Sequence, residues 1–224
     1  MRFAAARKEI ALLYEEPGQL KKFLVNAREI AIKSPVDALL QYRFAYAAWL
    51  STNLYNETDY LNLLRDALNQ LLPLGSQQPY DVLRLAFLIN TRLFPDTKML
   101  PLGKKLIEHK PTDTQVEWYY ISLLTVSSEI QDNDEAITRI RKQIRNELQN
   151  KEHYYRLGFA YICRKKSLED VEKSKQGIAA FNKYLSLAPP NNPYRKHAKR
   201  FVQILEEKLK NAAGTNSVGN AEQR

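Results

Sequence analysis

Signals that stop a helix recur along this chain at a nearly constant interval: Ser34-Pro35, Pro73, Pro111, Asn150 and Pro189, each about 38 to 39 residues from the one before. Proline lacks the amide hydrogen that continues a helix, and its ring clashes with the turn before it. Between the stops, apolar residues fall at helical spacing. A fixed period of this length marks a row of helical hairpins, each burying one face against its neighbours. The expected fold is therefore all-α, with hairpins at about 1–34, 35–73, 79–110, 112–150 and 151–189 and a capping helix over 193–210, in one domain over 1–210. Residues 211–224 are polar, hold Gly214 and Gly219 and show no period; a disordered tail is expected there.

The clearest unit lies near the end. Tyr154, Leu157, Gly158 and Tyr161 fall at i, i+3, i+4 and i+7, one stripe of a helix. Ile178, Phe181 and Leu185, with Tyr184 one step round, make a second stripe that Pro189-Pro190 ends. Glycine inside a helix costs about 1 kcal/mol against alanine, so Gly158 implies close approach by a neighbouring helix. In this order the residues resemble the tetratricopeptide repeat (TPR). There a large apolar residue, Leu-Gly and Tyr lead the first helix, and a small residue, an aromatic and a Pro mark the second. Tyr154, Leu157, Gly158, Tyr161, Gly177, Phe181 and Pro189 occupy those places. One departure is length: Tyr161 to Gly177 exceeds the family spacing by about two helical turns. Residues 167–173 either lengthen both helices without rotating their apolar faces or form a longer loop. The resemblance implies a right-handed superhelix, a TPR-like solenoid, whose first helices line a concave groove.

Upstream, residues 3–14 and 20–33 form the first expected pair, broken at Glu16-Pro17-Gly18, with Phe23, Ala27 and Ile30 as the inner stripe of the second helix. The following helix carries Tyr42, Phe44, Tyr46 and Trp49 almost all round, so burial on two sides is expected. Asn56-Glu57-Thr58 matches a glycosylation pattern, yet with no secretion signal it is read as a polar helix turn. Pro101 and Gly103 predict a kink or a late start near Pro101. Thr114-Gln115-Val116-Glu117 has the form of a capping box, and from it Trp118, Ile121, Ser122 and Thr125 give another large–large–small–large lead. Asp132-Asn133-Asp134-Glu135 is expected to cap the returning helix, whose stripe is Ala136, Ile137, Ile140, Ile144 and Leu148.

Hydrophobic residues make up 44% of the chain, enough for an extended core, and 7 Gly and 10 Pro are too few for a fibrous or disordered one. No apolar run approaches the roughly 18 residues that span a bilayer. Residues 1–9 lack the apolar centre of a signal peptide, so a cytoplasmic location is expected. The net charge of +9 is unevenly spread: from Arg139 to Lys210, Lys and Arg outnumber Asp and Glu by more than two to one, while the chain before Arg139 is slightly acidic. Such a basic last third either seats an acidic partner or keeps a thin helical array in water.

Catalytic chemistry finds no constellation of residues. His109, His153 and His197 stand far apart with no second ligand one turn away, whereas a metal needs three or four, and they read as surface residues. Phosphate-cradling glycine loops and the G-x-S-x-G elbow are missing. Cys163, the single cysteine, forms no internal disulfide; its basic neighbours would activate it if exposed, and burial would make it inert. The chain is thus expected to be no enzyme, to need no cofactor or metal, and to work by binding a protein or peptide, an acidic one above all.

By the register of the resemblance, groove contacts come from Tyr119 and Leu123, from Tyr155 and Phe159, and from Lys196, Arg200 and Gln203. Tyr155 and Phe159 have a second reading, as core between repeats. Some family members clamp a terminal carboxylate with an early Lys-x-x-x-Asn and a later Lys-x-x-x-Arg; here the later pair has a counterpart in Lys196 and Arg200, and the earlier has none. The alternative function is nucleic-acid binding through a basic patch of Arg156, Arg164, Lys165, Lys166 and Lys199, with tyrosines stacking on bases.

Overall fold

The structure, a computed structural model, describes residues 2–74, 77–163 and 171–218, with side chains for all of these except Lys208 and residues 211–218. Among the described residues there are eleven α-helices and no strand. In order they are α1 (Arg2–Leu12), α2 (Pro17–Lys33), α3 (Ala38–Leu50), α4 (Glu57–Leu71), α5 (Tyr80–Leu93), α6 (Leu100–His109), α7 (Thr114–Val126), α8 (Ile130–Asn146), α9 (Lys151–Cys163), α10 (Val171–Leu187) and α11 (Tyr194–Val218). Neighbouring helices pack in series. By contact the chain divides into two compact units, Met1–Tyr120 and Ile121–Arg224.

Local chemistry sets the helix starts. Asp37 caps α3 by accepting from the Leu39 and Leu40 amides, and Asn56 caps α4 by accepting from the Asp59 amide at 2.9 Å. Asn56 is thus the polar helix turn expected there. α6 begins late, after a 3-10 turn at Thr97–Met99, with Pro101 in its first turn where a missing amide hydrogen costs nothing. α7 starts at Thr114, but its cap lies one residue before the expected box: the Asp113 carboxylate accepts from the Val116 amide at 3.1 Å. Asp113 wins because its side chain is also gripped by α5. At α8 the expected cap is corrected too. Glu129 precedes the helix, and Ser127 Oγ accepts from its amide at 3.2 Å.

Helix C-termini leave carbonyls without partners, and here the next helix supplies them. Gln41 of α3 is fully buried and donates to Ala31 O and Ser34 O at 2.8 and 2.9 Å, closing the end of α2. Asn133 of α8, also fully buried, donates to Leu124 O, Thr125 O and Ser127 O at 2.8 to 3.3 Å. Arg195 of α11 donates to Leu185 O and Ala188 O, both at 2.6 Å, at the end of α10. A buried amide that serves two or three carbonyls fixes how one helix leaves another.

In the first unit α3 packs against α1, α2, α4 and α5, as its apolar girth predicts. Tyr42, Phe44, Ala45, Ala47 and Ala48 are buried, and the alanines let neighbours approach closely. On α2 the buried stripe is Leu20, Leu24, Ala27 and Ala31; Ile30 is 48% exposed, correcting its expected inward place. Gly103 of α6 lies under two rings, since a Cβ there would stand 2.8 Å from both Phe87 and Tyr120.

In the second unit the α9–α10 crossing turns on Gly158. A Cβ on it would meet the Phe181 ring at 2.8 Å, so the close approach is made by a ring rather than by backbone. Gly177 fits against Leu205 and Tyr161 in the same way, at 3.2 and 3.3 Å. Ala136, Ile137, Ile140 and Ile144 form the α8 stripe, but Leu148 lies beyond the helix end and is 60% exposed. α9 ends at Cys163 and α10 begins at Val171; the choice between longer helices and a loop for 167–173 falls largely on residues 164–170, outside the described ones. α11 continues past Lys210, through Ala212 and Ala213, to Val218, so the start expected for the disordered tail is corrected; residues 219–224 lie outside the described ones.

Candidate partner-binding face

α1, α3, α5 and α7 bring one set of large polar and aromatic side chains together in the first unit. Phe3 packs edge-on to Tyr42 at 5.3 Å, and Tyr42 stacks nearly parallel with Tyr46, one turn on, at 5.8 Å. Trp49, the next residue along that line of α3, meets Tyr119 of α7 at 6.2 Å. Tyr46, Trp49 and Tyr119 are half-buried, so each ring offers a surface while its body is held. Burial pushes the Tyr42 and Tyr46 phenols up; Asp81 adds to the rise in Tyr42, and the charges of Arg7 and Arg84 oppose it in both. Arg7 is 41% exposed and only loosely paired with Asp81, at 3.9 Å.

Arg84 is held differently. Its Nε donates to Asp113 Oδ2 at 2.5 Å and its Nη2 to Gln115 Oε1 at 2.8 Å, while the Tyr80 hydroxyl donates to the same carboxylate at 3.0 Å. The side chains of Arg84 and Asp113 are only 15% and 8% exposed. Burial alone would raise the Asp113 carboxyl; hydrogen bonds from Arg84, the Val116 amide and Tyr80 outweigh it and hold the group below the usual carboxylate range. Fixed guanidinium, fixed rings and a looser cation suit recognition of a side-chain pattern. Among the described residues no group of His, Cys, Asp and Glu is gathered as a metal would need.

Of the groove residues expected from the sequence, Tyr119 packs against Trp49 here and the others lie elsewhere. Leu123 is fully buried and offers nothing to a partner, so its expected role is corrected: on a helix packed from several sides, one step of register turns a groove residue into core. Tyr155 and Phe159 are half-buried and turned toward α11: Tyr155 lies 5.4 Å from Tyr194, and Phe159 lies 6.1 Å from Phe201. They fill the space between helices, their second reading. Lys196, Lys199, Arg200 and Gln203 are exposed on α11. Arg156 is half-buried and reaches Gln143 at 3.5 Å, and Arg164, Lys165 and Lys166 lie outside the described residues.

The remaining candidates for chemistry are quiet. Burial pushes the Cys163 thiol up to about 11, opposite to what a reactive thiolate needs. His153 is not a surface residue: it is 7% exposed, with Nε2 3.2 Å from Glu147 Oε2. Tyr42, Tyr46, Trp49 and Arg84 were missed as a set because they lie on two helices with α4 between them. The signal within reach was α3 itself, too rich in hydroxyl-bearing rings for a plain core helix.

No protein-family model matches the chain, and no curated protein does. Its structure is similar to the crystal structure of YrrB, described as a TPR protein with an unusual peptide-binding site, with a TM-score of 0.57 over 87% of this chain and 90% of that one. Sequence identity is 15%, so the likeness speaks for the fold: a TPR-like, all-α array of helical repeats. No described helix is long and apolar enough to cross a membrane.

Proposed function

We propose that this chain is a non-catalytic protein-interaction scaffold that holds a peptide segment of a partner protein on the α1–α3–α5–α7 face of its first unit. One observation carries the reading. Tyr46, Trp49 and Tyr119 stand half-buried with Trp49 against Tyr119, and the charges of Arg7 and Arg84 reach the Tyr46 phenol; Tyr, Trp and Arg are the residue types that dominate binding energy where proteins meet. The TPR-like fold supports it in general terms, and the peptide-binding site ascribed to YrrB is a precedent for such an array holding a peptide. An acidic partner remains part of the proposal, since the chain carries a net charge of +9. Nucleic acid is less well supported, because Tyr155, Phe159 and Phe201 pack on one another or on neighbouring rings instead of offering faces to bases.

Selection of peptides from a displayed random library by the purified chain tests the reading. Selected peptides should lose about tenfold in affinity or more on Trp49→Ala or Tyr119→Ala, the loss typical of a hot-spot ring. Selected sequences rich in Asp and Glu would support the acidic preference. Equal affinity for parent and variants would overturn the assignment to this face. Tight, steeply salt-dependent binding of single-stranded RNA with no peptide selected would favour nucleic acid instead.

A further inference from the structure

The outward stripe of α11 carries charge in an order that matches its own reverse. At about 100° per residue, Lys199, Arg200, Gln203, Glu206 and Glu207 share one side of the helix, and all are exposed. Opposite them, Ala198 and Leu205 are buried in the core of the second unit. Val202 and Ile204, half-buried, border the stripe on either side. Two cations precede the central Gln203 by one turn, and two carboxylates follow it by one turn.

We infer that this stripe is a contact for a second copy of the chain, with the two α11 helices antiparallel and crossing at Gln203. A two-fold axis through that crossing brings Arg200 to the partner's Glu207 and Lys199 to the partner's Glu206. The symmetry repeats both pairs, so four charge pairs form from one self-complementary patch. Val202 and Ile204 flank them with apolar surface. An acidic peptide fits less well, because any segment long enough to lie along the stripe meets Glu206 and Glu207 after the cations. Exposed pairs are individually weak and screened by salt, and Lys196 faces the partner's Lys210 at each end. The contact is therefore weak, reversible and dependent on ionic strength. It uses no residue of the face proposed for peptide binding, and either can fail without the other.

Sedimentation velocity of the full chain, over a range of concentrations at about 50 mM and about 0.5 M salt, tests it. The expected result is dimer that grows with concentration at low salt and disappears at high salt. Arg200→Glu should weaken association by about tenfold, and so should Glu207→Arg, since each sets like charges opposite one another. Arg200→Glu and Glu207→Arg in one chain exchange the charges and should restore the dimer, a rescue that general charge effects do not produce. A chain that stays monomeric at low salt overturns the inference, as does a dimer indifferent to Arg200→Glu or a swapped double variant that fails to recover. If the parent stays monomeric but binds a labelled oligoglutamate peptide that Arg200→Glu releases, the stripe serves an acidic partner and self-association is wrong.

Discussion

α3 and α9 are both thirteen residues long, and set start against start they match closely. Tyr42 falls on Tyr155, Ala45 on Gly158, Tyr46 on Phe159 and Trp49 on Ile162. Each puts an aromatic pair one turn apart on the same side, around a small residue that lets the returning helix come close. Their surroundings differ. The α3 pair feels the charges of Arg7 and Arg84, whereas the α9 pair packs against Tyr194 and Phe201 of α11. Register fixes the direction in which a pair points; the next helix over decides whether it meets rings or charges. The same place in the repeat is thus packing in the second unit and a candidate recognition face in the first.

The largest expected effect is on the network that carries Arg84. Asp113→Ala leaves a largely buried guanidinium without its carboxylate and removes the α7 cap, so the first unit should lose about 3 kcal/mol or more. Trp49 and Trp118 both lie in that unit, so tryptophan fluorescence during urea unfolding reports on it. The same group fixes a pH dependence. Its folded pKa is depressed, so the stabilisation is complete above the unfolded value of about 4 and fades as pH falls below it. Acid should lower the fluorescence midpoint of the parent more than that of Asp113→Asn.

The counterpart in the second unit is Gly158→Leu, which drives a side chain into the Phe181 ring and should cost about 1–3 kcal/mol. Circular dichroism should register that loss, and an unchanged midpoint would remove Gly158 from the crossing. Gln41→Leu and Asn133→Leu test the parallel clamps. Each leaves two or three buried carbonyls unserved, at about 1–3 kcal/mol, the first visible by fluorescence and the second by dichroism. The smallest effect is favourable: a Cβ on Gly18 of α2 meets nothing within 4 Å, so Gly18→Ala should raise stability by about 0.5–1 kcal/mol in thermal unfolding.

What could be read from the amino-acid order was whatever depends on residues close together. Proline and small polar residues marked where helices begin and end, Gly158 marked a tight crossing, and the aromatic girth of α3 foretold its burial. What escaped depends on partners far along the chain. The α7 cap moved to Asp113 because Arg84 and Tyr80, on another helix, hold its carboxylate. Asn133 looked like a capping residue, yet its amide faces inward to the carbonyls ending α7. The register of the expected groove residues was drawn from α9, whose motif is clearest, and clarity of motif reports packing demands rather than an open surface. Leu123 shows the limit most simply, since nothing near it in sequence reveals how many helices surround it.

The measurement that decides most is a paired one on Tyr46→Ala and Phe159→Ala: melting temperature, and affinity for a peptide selected on the parent chain. Both should melt lower than the parent, since both rings are half-buried, but Tyr46→Ala should lose most of its peptide affinity and Phe159→Ala should bind the peptide as before. If Phe159→Ala loses the peptide at full stability and Tyr46→Ala keeps it, the recognition face is on α9, and the assignment of the two helices is reversed.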